Sequence, residues 1–163
     1  MTTNELIATT RTRLGLSAAQ VAQQAGMSLE SYYDVESHAS EVTSVISLAS
    51  LLAICKQLEM TPKTVLGGQP SLGYPVSIDA RTSSGHLIHT DKELQKWVRD
   101  SAHRLHSSLE DMSKECGWDL SELCADPHAV WNWTVDCLFS VCVYVGADGM
   151  SLLEAAFDDH GGR

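Results

Sequence analysis

Apolar side chains recur at intervals of three and four residues in two long stretches of the chain, which is the spacing of one helix face. In residues 1–66 the runs are short, and Ser17, Ser28 and Ser47 each precede one as a helix-capping residue. The pattern predicts five short helices, containing Leu6 to Leu14, Val21 to Ala25, Leu29 to Ser37, Leu48 to Leu58 and Val65 to Leu66.

The second stretch predicts fewer and longer helices. Thr90 and Glu93 form a capping box before a three-four repeat that continues to Cys116, which predicts one long helix. A strongly apolar helix is expected from His128 to Val145, followed by a short one around Leu152. The spacing of these last two helices resembles that of the closing pair in residues 1–66. An ancestral duplication and chance both explain it.

Helix breakers separate the two stretches. Gly67, Gly68, Pro70, Gly73 and Pro75 lie within nine residues, which indicates a boundary. Residues 76–89 alternate weakly and predict a short hairpin. The expected fold class is therefore all-α: a five-helix domain at residues 1–66, a linker at 67–89, and an acidic helical domain with one long helix at 90–163.

The charge of the chain is −10 and is unevenly distributed. Residues 91–163 hold six basic and fourteen acidic side chains, whereas residues 1–66 hold four and six. Such acidity excludes a protein that wraps nucleic acid with its whole surface, and it favours dimerisation or docking of a basic protein by the second domain. No membrane span or signal peptide is predicted, so a cytoplasmic location is expected, and the five cysteines are expected to be reduced thiols in a core.

The residues that carry chemistry do not form a recognised catalytic pattern. The histidine pairs at His86 and His89 and at His103 and His106 lack the supporting ligands of a zinc motif. No nucleophile elbow or phosphate-binding loop occurs. We therefore expect no enzyme, no metal and no cofactor.

A helix-turn-helix pattern is recognisable in residues 16–36. Small Ala22, turn residue Gly26 and cap Ser28 stand before apolar Tyr32 and Val35. With the helices that follow, residues 4–66 resemble the Cro/repressor family, also called Xre or lambda-repressor-like. The resemblance implies that the third helix enters the major groove of DNA. It implies a binding surface comprising Arg11, Arg13, Gln20, Ser28, Leu29, Glu30, Ser31, Tyr33, Asp34 and Ser37.

Two functions remain open at this point. The first is a transcriptional regulator or autoregulating antitoxin that binds operator DNA as a homodimer, as the resemblance implies. The third helix has no basic residue, however, and it carries the carboxylates of Glu30 and Asp34. The alternative is therefore an acidic antitoxin or immunity-type protein that uses the same scaffold to bind and neutralise a basic protein.

Overall fold

The structure is a computed structural model that describes residues 1–67 and 85–161. It is 73% helical and about 3% strand, which confirms the all-α fold class. Within the described ranges, no helix is long and apolar enough to cross a membrane.

Six helices lie in residues 1–67, one more than the sequence pattern predicts. They are α1 (Thr3–Arg13), α2 (Ala18–Gln24), α3 (Leu29–Ser37), α4 (Ala39–Ser44), α5 (Leu48–Gln57) and α6 (Pro62–Leu66). The additional helix is α4. It has only six residues, of which Val42 and Thr43 are buried, and this is too short to show a helical repeat.

The remaining elements follow from residue 86 onward. They are β1 (His86–Leu87), α7 (Asp91–Arg104), α8 (Leu109–Cys116), α9 (Ser121–Ala125), a 3-10 helix (Pro127–Asn132), α10 (Val135–Val145), β2 (Ala147–Asp148) and α11 (Gly149–Gly161). The strands pair in parallel, His86 with Ala147 and Leu87 with Asp148. Of the predicted hairpin, the part at Val76 and Ile78 lies outside the described residues.

The prediction of one long helix ending at Cys116 is wrong. Its repeat is divided between α7 and α8, because His106 adopts a left-handed conformation with φ +50°. The Ser108 side chain then accepts a hydrogen bond from the Asp111 amide at 3.1 Å and starts a new helix. The apolar helix expected from His128 is divided in the same way, since Thr134 caps α10 through the amide of Cys137.

The buried apolar side chains of both segments form one continuous core. Helix α11 packs on α5 and α6, and α10 packs on α4. The amide of Leu48 donates to the carbonyl of Trp133 at 2.8 Å, and the Ser44 hydroxyl donates to Asp136 at 2.6 Å. The helices on either side of the predicted linker therefore pack against each other. Contacts from α10 and α11 thus help to stabilise the segment that contains α2 and α3.

Candidate binding surface on the third helix

Helices α2 and α3 are joined by a tight turn. Gly26 has φ +68°, a conformation that favours glycine, and the amide of Met27 donates to the carbonyl of Ala22 at 3.0 Å. Ala22 and Ala25 are buried, and their small side chains let α3 approach α2 closely. Two short helices joined by a tight turn therefore lie where the residue pattern predicts them.

The inner face of α3 is anchored to α1 by an ion pair. Arg11 donates from Nε to Oε1 of Glu36 at 2.5 Å and from Nη2 to Oε2 at 3.0 Å, and Nη1 donates to the carbonyl of Leu16 at 2.9 Å. The hydrogen bonds to Glu36 raise the pKa of Arg11. Because all three guanidinium nitrogens are engaged, the predicted phosphate contact of Arg11 has no support in this geometry.

Tyr32 lies beside this ion pair. Its side chain is fully buried, and its hydroxyl has no hydrogen-bond partner in the part of the chain that the structure describes. Burial raises the pKa of Tyr32, and the neighbouring carboxylate of Glu36 acts in the same direction. Tyr32 therefore stays neutral and serves α3 as an apolar anchor.

The outer face of α3 is open. Leu29, Glu30, Tyr33 and Asp34 are all exposed, Leu29 to 41% and Tyr33 to 52%. Positions 30, 33 and 34 lie on neighbouring turns of one helix face. Neither the Glu30 nor the Asp34 carboxylate has a hydrogen-bond or ion-pair partner among residues 1–67 and 85–161. We call the surface formed by Leu29, Glu30, Tyr33 and Asp34 the acidic face.

The serines of α3 make bonds within the helix itself. The Ser28 hydroxyl accepts from the amide of Ser31 at 3.1 Å and lies 2.8 Å from the Ser31 hydroxyl. The Ser37 hydroxyl donates to the carbonyl of Tyr33 at 2.7 Å. Ser28 thus caps the start of α3, and the Ser37 hydroxyl satisfies a carbonyl in its last turn. The charged groups of α3 without a partner in the described ranges are the carboxylates of the acidic face.

Two predicted site residues lie outside α3. The Gln20 side chain accepts a hydrogen bond from the amide of Ser17 at 2.8 Å and so completes the capping box of α2. Arg13, in the last turn of α1, is exposed and has no ion-pair partner in the described ranges. Arg13 is therefore the predicted cation that remains available to a ligand.

Two of the histidines contact other side chains. The His86 ring stacks on the Trp97 ring with 3.9 Å between the centroids, and the guanidinium of Arg104 also lies 3.9 Å from the centroid of the Trp97 ring. His128 Nδ1 lies 2.6 Å from a carboxylate oxygen of Asp91. Within residues 1–67 and 85–161, no group of three or more His, Cys, Asp or Glu side chains is arranged to hold a metal.

The described structure also contains a cavity that the sequence pattern does not indicate. It has a volume of about 400 Å³ and is lined by residues of α2, α5, the 3-10 helix and α11. Lys56 and Trp131, which are far apart in sequence, both border it. No sequence motif joins these residues, because tertiary packing alone brings them together.

We compared the chain with protein-family models, with characterised proteins and with solved structures, and none of the three comparisons gives a match.

Proposed function

We propose that this protein is a binding protein in which a helix-turn-helix scaffold presents the acidic face of α3 to a basic protein partner. The observation that supports this most directly is the pair of exposed, unpartnered carboxylates of Glu30 and Asp34 on the outer face of α3. They stand beside exposed Tyr33, and aromatic side chains of this kind are common anchors of protein interfaces.

Charge favours a protein over DNA at this surface. A carboxylate close to DNA phosphates is repelled and keeps its counterions, so it lowers affinity. The same carboxylate facing lysine or arginine speeds association and selects the partner. Arg11 is paired with Glu36. Among the predicted site residues, Arg13 is therefore the one cation left to offset the charges of Glu30 and Asp34 near DNA.

Affinity capture with matched charge variants tests the proposal. The full chain, Glu30→Gln/Asp34→Asn and the control Glu122→Gln/Asp159→Asn are each used to retain proteins from a lysate of the source cells. The control pair removes the same charge at exposed positions of α9 and α11. We expect one basic protein to bind the wild type and the control alike, and to bind the α3 variant at least about tenfold more weakly. Equal binding to all three chains would contradict the proposal.

Operator DNA is the second candidate ligand. It is favoured by the tight turn at Gly26 together with an outer face of α3 that no other described element covers. The test is selection of duplexes from the source genome at low salt. A duplex that the wild type binds specifically, and that Arg13→Ala and Gln20→Ala bind more weakly, would favour DNA over the basic partner.

A further inference from the structure

The cavity beside α5 has the size and lining of a small-molecule site. Its volume of about 400 Å³ lies within the range of ligand pockets, and its surface is mainly apolar. Leu52 and Ala53 of α5, Ala156 of α11 and the indole of Trp131 supply the apolar part. An aromatic or alicyclic group would be held there by contact with these side chains.

The indole of Trp131 is held in a defined orientation. Its Nε1 donates to a carboxylate oxygen of Asp91 at 3.2 Å, and the same oxygen lies 2.6 Å from Nδ1 of His128. Because the only polar atom of the indole is engaged, the ring has only apolar surface left for the cavity. Because the indole ring is already fixed in orientation, a flat ligand that stacks on it costs less side-chain entropy on binding.

The polar part of the cavity suits a single negative charge. The ammonium of Lys56 has no hydrogen-bond or ion-pair partner in the described ranges, and partial burial lowers its pKa. An anion placed beside it would compensate for the lost hydration. The side-chain amide of Gln57 donates to the side-chain oxygen of Gln24. Gln24 lines the cavity, and its own amide nitrogen makes no hydrogen bond in the described ranges, so it can still donate one.

We propose that this cavity binds a small molecule with a flat apolar body and one carboxylate, the body lying against Trp131 and Ala53 and the carboxylate at Lys56 and Gln24. One cation and one neutral donor match a monocarboxylate, whereas a phosphate dianion would call for more positive charge. The site is made by side chains of α2, α5 and α11 and of the 3-10 helix, and it does not use the acidic face of α3. It therefore stands independently of the proposed partner binding.

Calorimetric titration with two probes of one shape tests this proposal. Naphthalene-2-carboxylate and its neutral counterpart 2-naphthylmethanol are added separately to the full chain and to Lys56→Gln. We expect the carboxylate to bind with a dissociation constant below about 1 mM, and Lys56→Gln to weaken it about tenfold while changing the alcohol less than about twofold. Lys63→Gln, an exposed lysine of α6, is the matched control and leaves both probes unchanged.

A second variant addresses the apolar part. Ala53→Leu places a larger side chain in the cavity and should weaken both probes about tenfold, while circular dichroism reports whether the fold is kept. Absence of saturable binding of the carboxylate, or equal binding by the wild type and Lys56→Gln, would overturn the proposal. So would a stable dimer in sedimentation velocity that Ala53→Arg dissociates, because a second copy would then cover the cavity.

Discussion

Arg11 of α1 and Glu36 of α3 form a bidentate ion pair, with Nε–Oε1 and Nη2–Oε2 distances of 2.5 and 3.0 Å. The two side chains are only 19% and 11% exposed, so little water screens them. Asn4 adds a hydrogen bond to the carbonyl of Glu36 at 3.2 Å. The position of α3, and with it the direction of the acidic face, therefore depends on contacts made by α1.

Removal of one partner should be costly. We expect Arg11→Ala to lower the free energy of unfolding by about 2–4 kcal/mol, because it leaves the Glu36 carboxylate partly buried and unpaired. Arg13→Ala, at an exposed position of the same helix, should change it by less than about 0.5 kcal/mol. Urea denaturation followed by circular dichroism measures both. If the two variants were equally stable, the ion pair would not be what holds α3.

A double substitution by apolar residues separates the effect of the charges on stability from the effect of packing. Arg11→Met/Glu36→Leu removes the ion pair and fills the space with apolar groups, so it should recover most of the stability lost in Arg11→Ala. A double variant no more stable than the single one would show that the hydrogen bonds of Arg11, including the one to Leu16, carry the effect.

The break between α7 and α8 gives a second prediction. His106 has φ +50°, a conformation that costs a residue with a side chain about 1 kcal/mol relative to glycine. His106→Gly should therefore raise the free energy of unfolding by about 0.5–1 kcal/mol. His103→Gly, inside the last turn of α7, should lower it by about 0.3–0.5 kcal/mol, the difference in helix propensity between the two residues. Thermal or urea unfolding checks both signs, and a loss of stability in His106→Gly would contradict the assigned conformation.

The same break shows where the sequence is informative and where it is not. The caps at Ser17, Ser28 and Thr90 act locally, and the structure has each of them at the start of the helix that the sequence predicts. No glycine or proline marks the turn at Leu105–Ser108, however, and the three-four repeat continues through it. The cap at Ser108 is local, but the packing of α8 against α7 and α10, which accompanies that turn, is not.

The candidate site shows the same division. The outward position of Glu30, Tyr33 and Asp34 follows from helical spacing and could be predicted. The use of Arg11 as a partner of Glu36 could not, because the two residues are 25 positions apart and both fit a solvated surface equally well. The cavity at Lys56 depends on four separate segments and has no local signal.

Asp148 provides a third prediction, at the start of α11. Its side chain is 8% exposed, and Oδ1 accepts hydrogen bonds from the amides of Met150 and Ser151 at 2.9 and 3.2 Å. We expect Asp148→Ala to lower the free energy of unfolding by about 1–2 kcal/mol, because two amides at the helix start lose their acceptor. Asp148→Asn keeps an oxygen there and should cost less. Asp159→Ala, exposed in α11, is the control and should have little effect in the same urea titration.

Buried thiols make stability depend on alkaline pH. Burial raises the pKa of Cys55 from 9.0 to about 12. The neutral thiol of Cys55 therefore makes its full contribution to the free energy of unfolding below pH 9. That contribution is lost as pH rises from 9 to 12, by about 1.4 kcal/mol per pH unit. Cys55→Ala should lower the free energy of unfolding at pH 7, but this free energy should then fall less steeply between pH 9 and 10.5 than it does in the wild type. Val65→Ala, a core deletion without a titrating group, should keep the decline of the wild type, and urea midpoints across this range distinguish the two.

The shared core predicts that residues 1–67 do not reach full stability alone. Helix α11 covers α5 and α6, and the amide of Leu48 depends on the carbonyl of Trp133. A fragment of residues 1–67 would expose Leu66, now fully buried, and leave that amide to water. We expect the full chain to unfold in one transition and the fragment to show a lower urea midpoint.

The contact made by α11 is testable without cutting the chain. Leu153 is fully buried on α11, and Leu153→Ala should lower the free energy of unfolding by about 2–5 kcal/mol while keeping one transition, because both segments lose stability together. Phe157, half-buried on the same helix, should cost less on truncation to alanine. Circular dichroism and tryptophan fluorescence give the two readouts. Two separate transitions in Leu153→Ala, or a fragment as stable as the full chain, would mean instead that residues 1–66 form an independent domain.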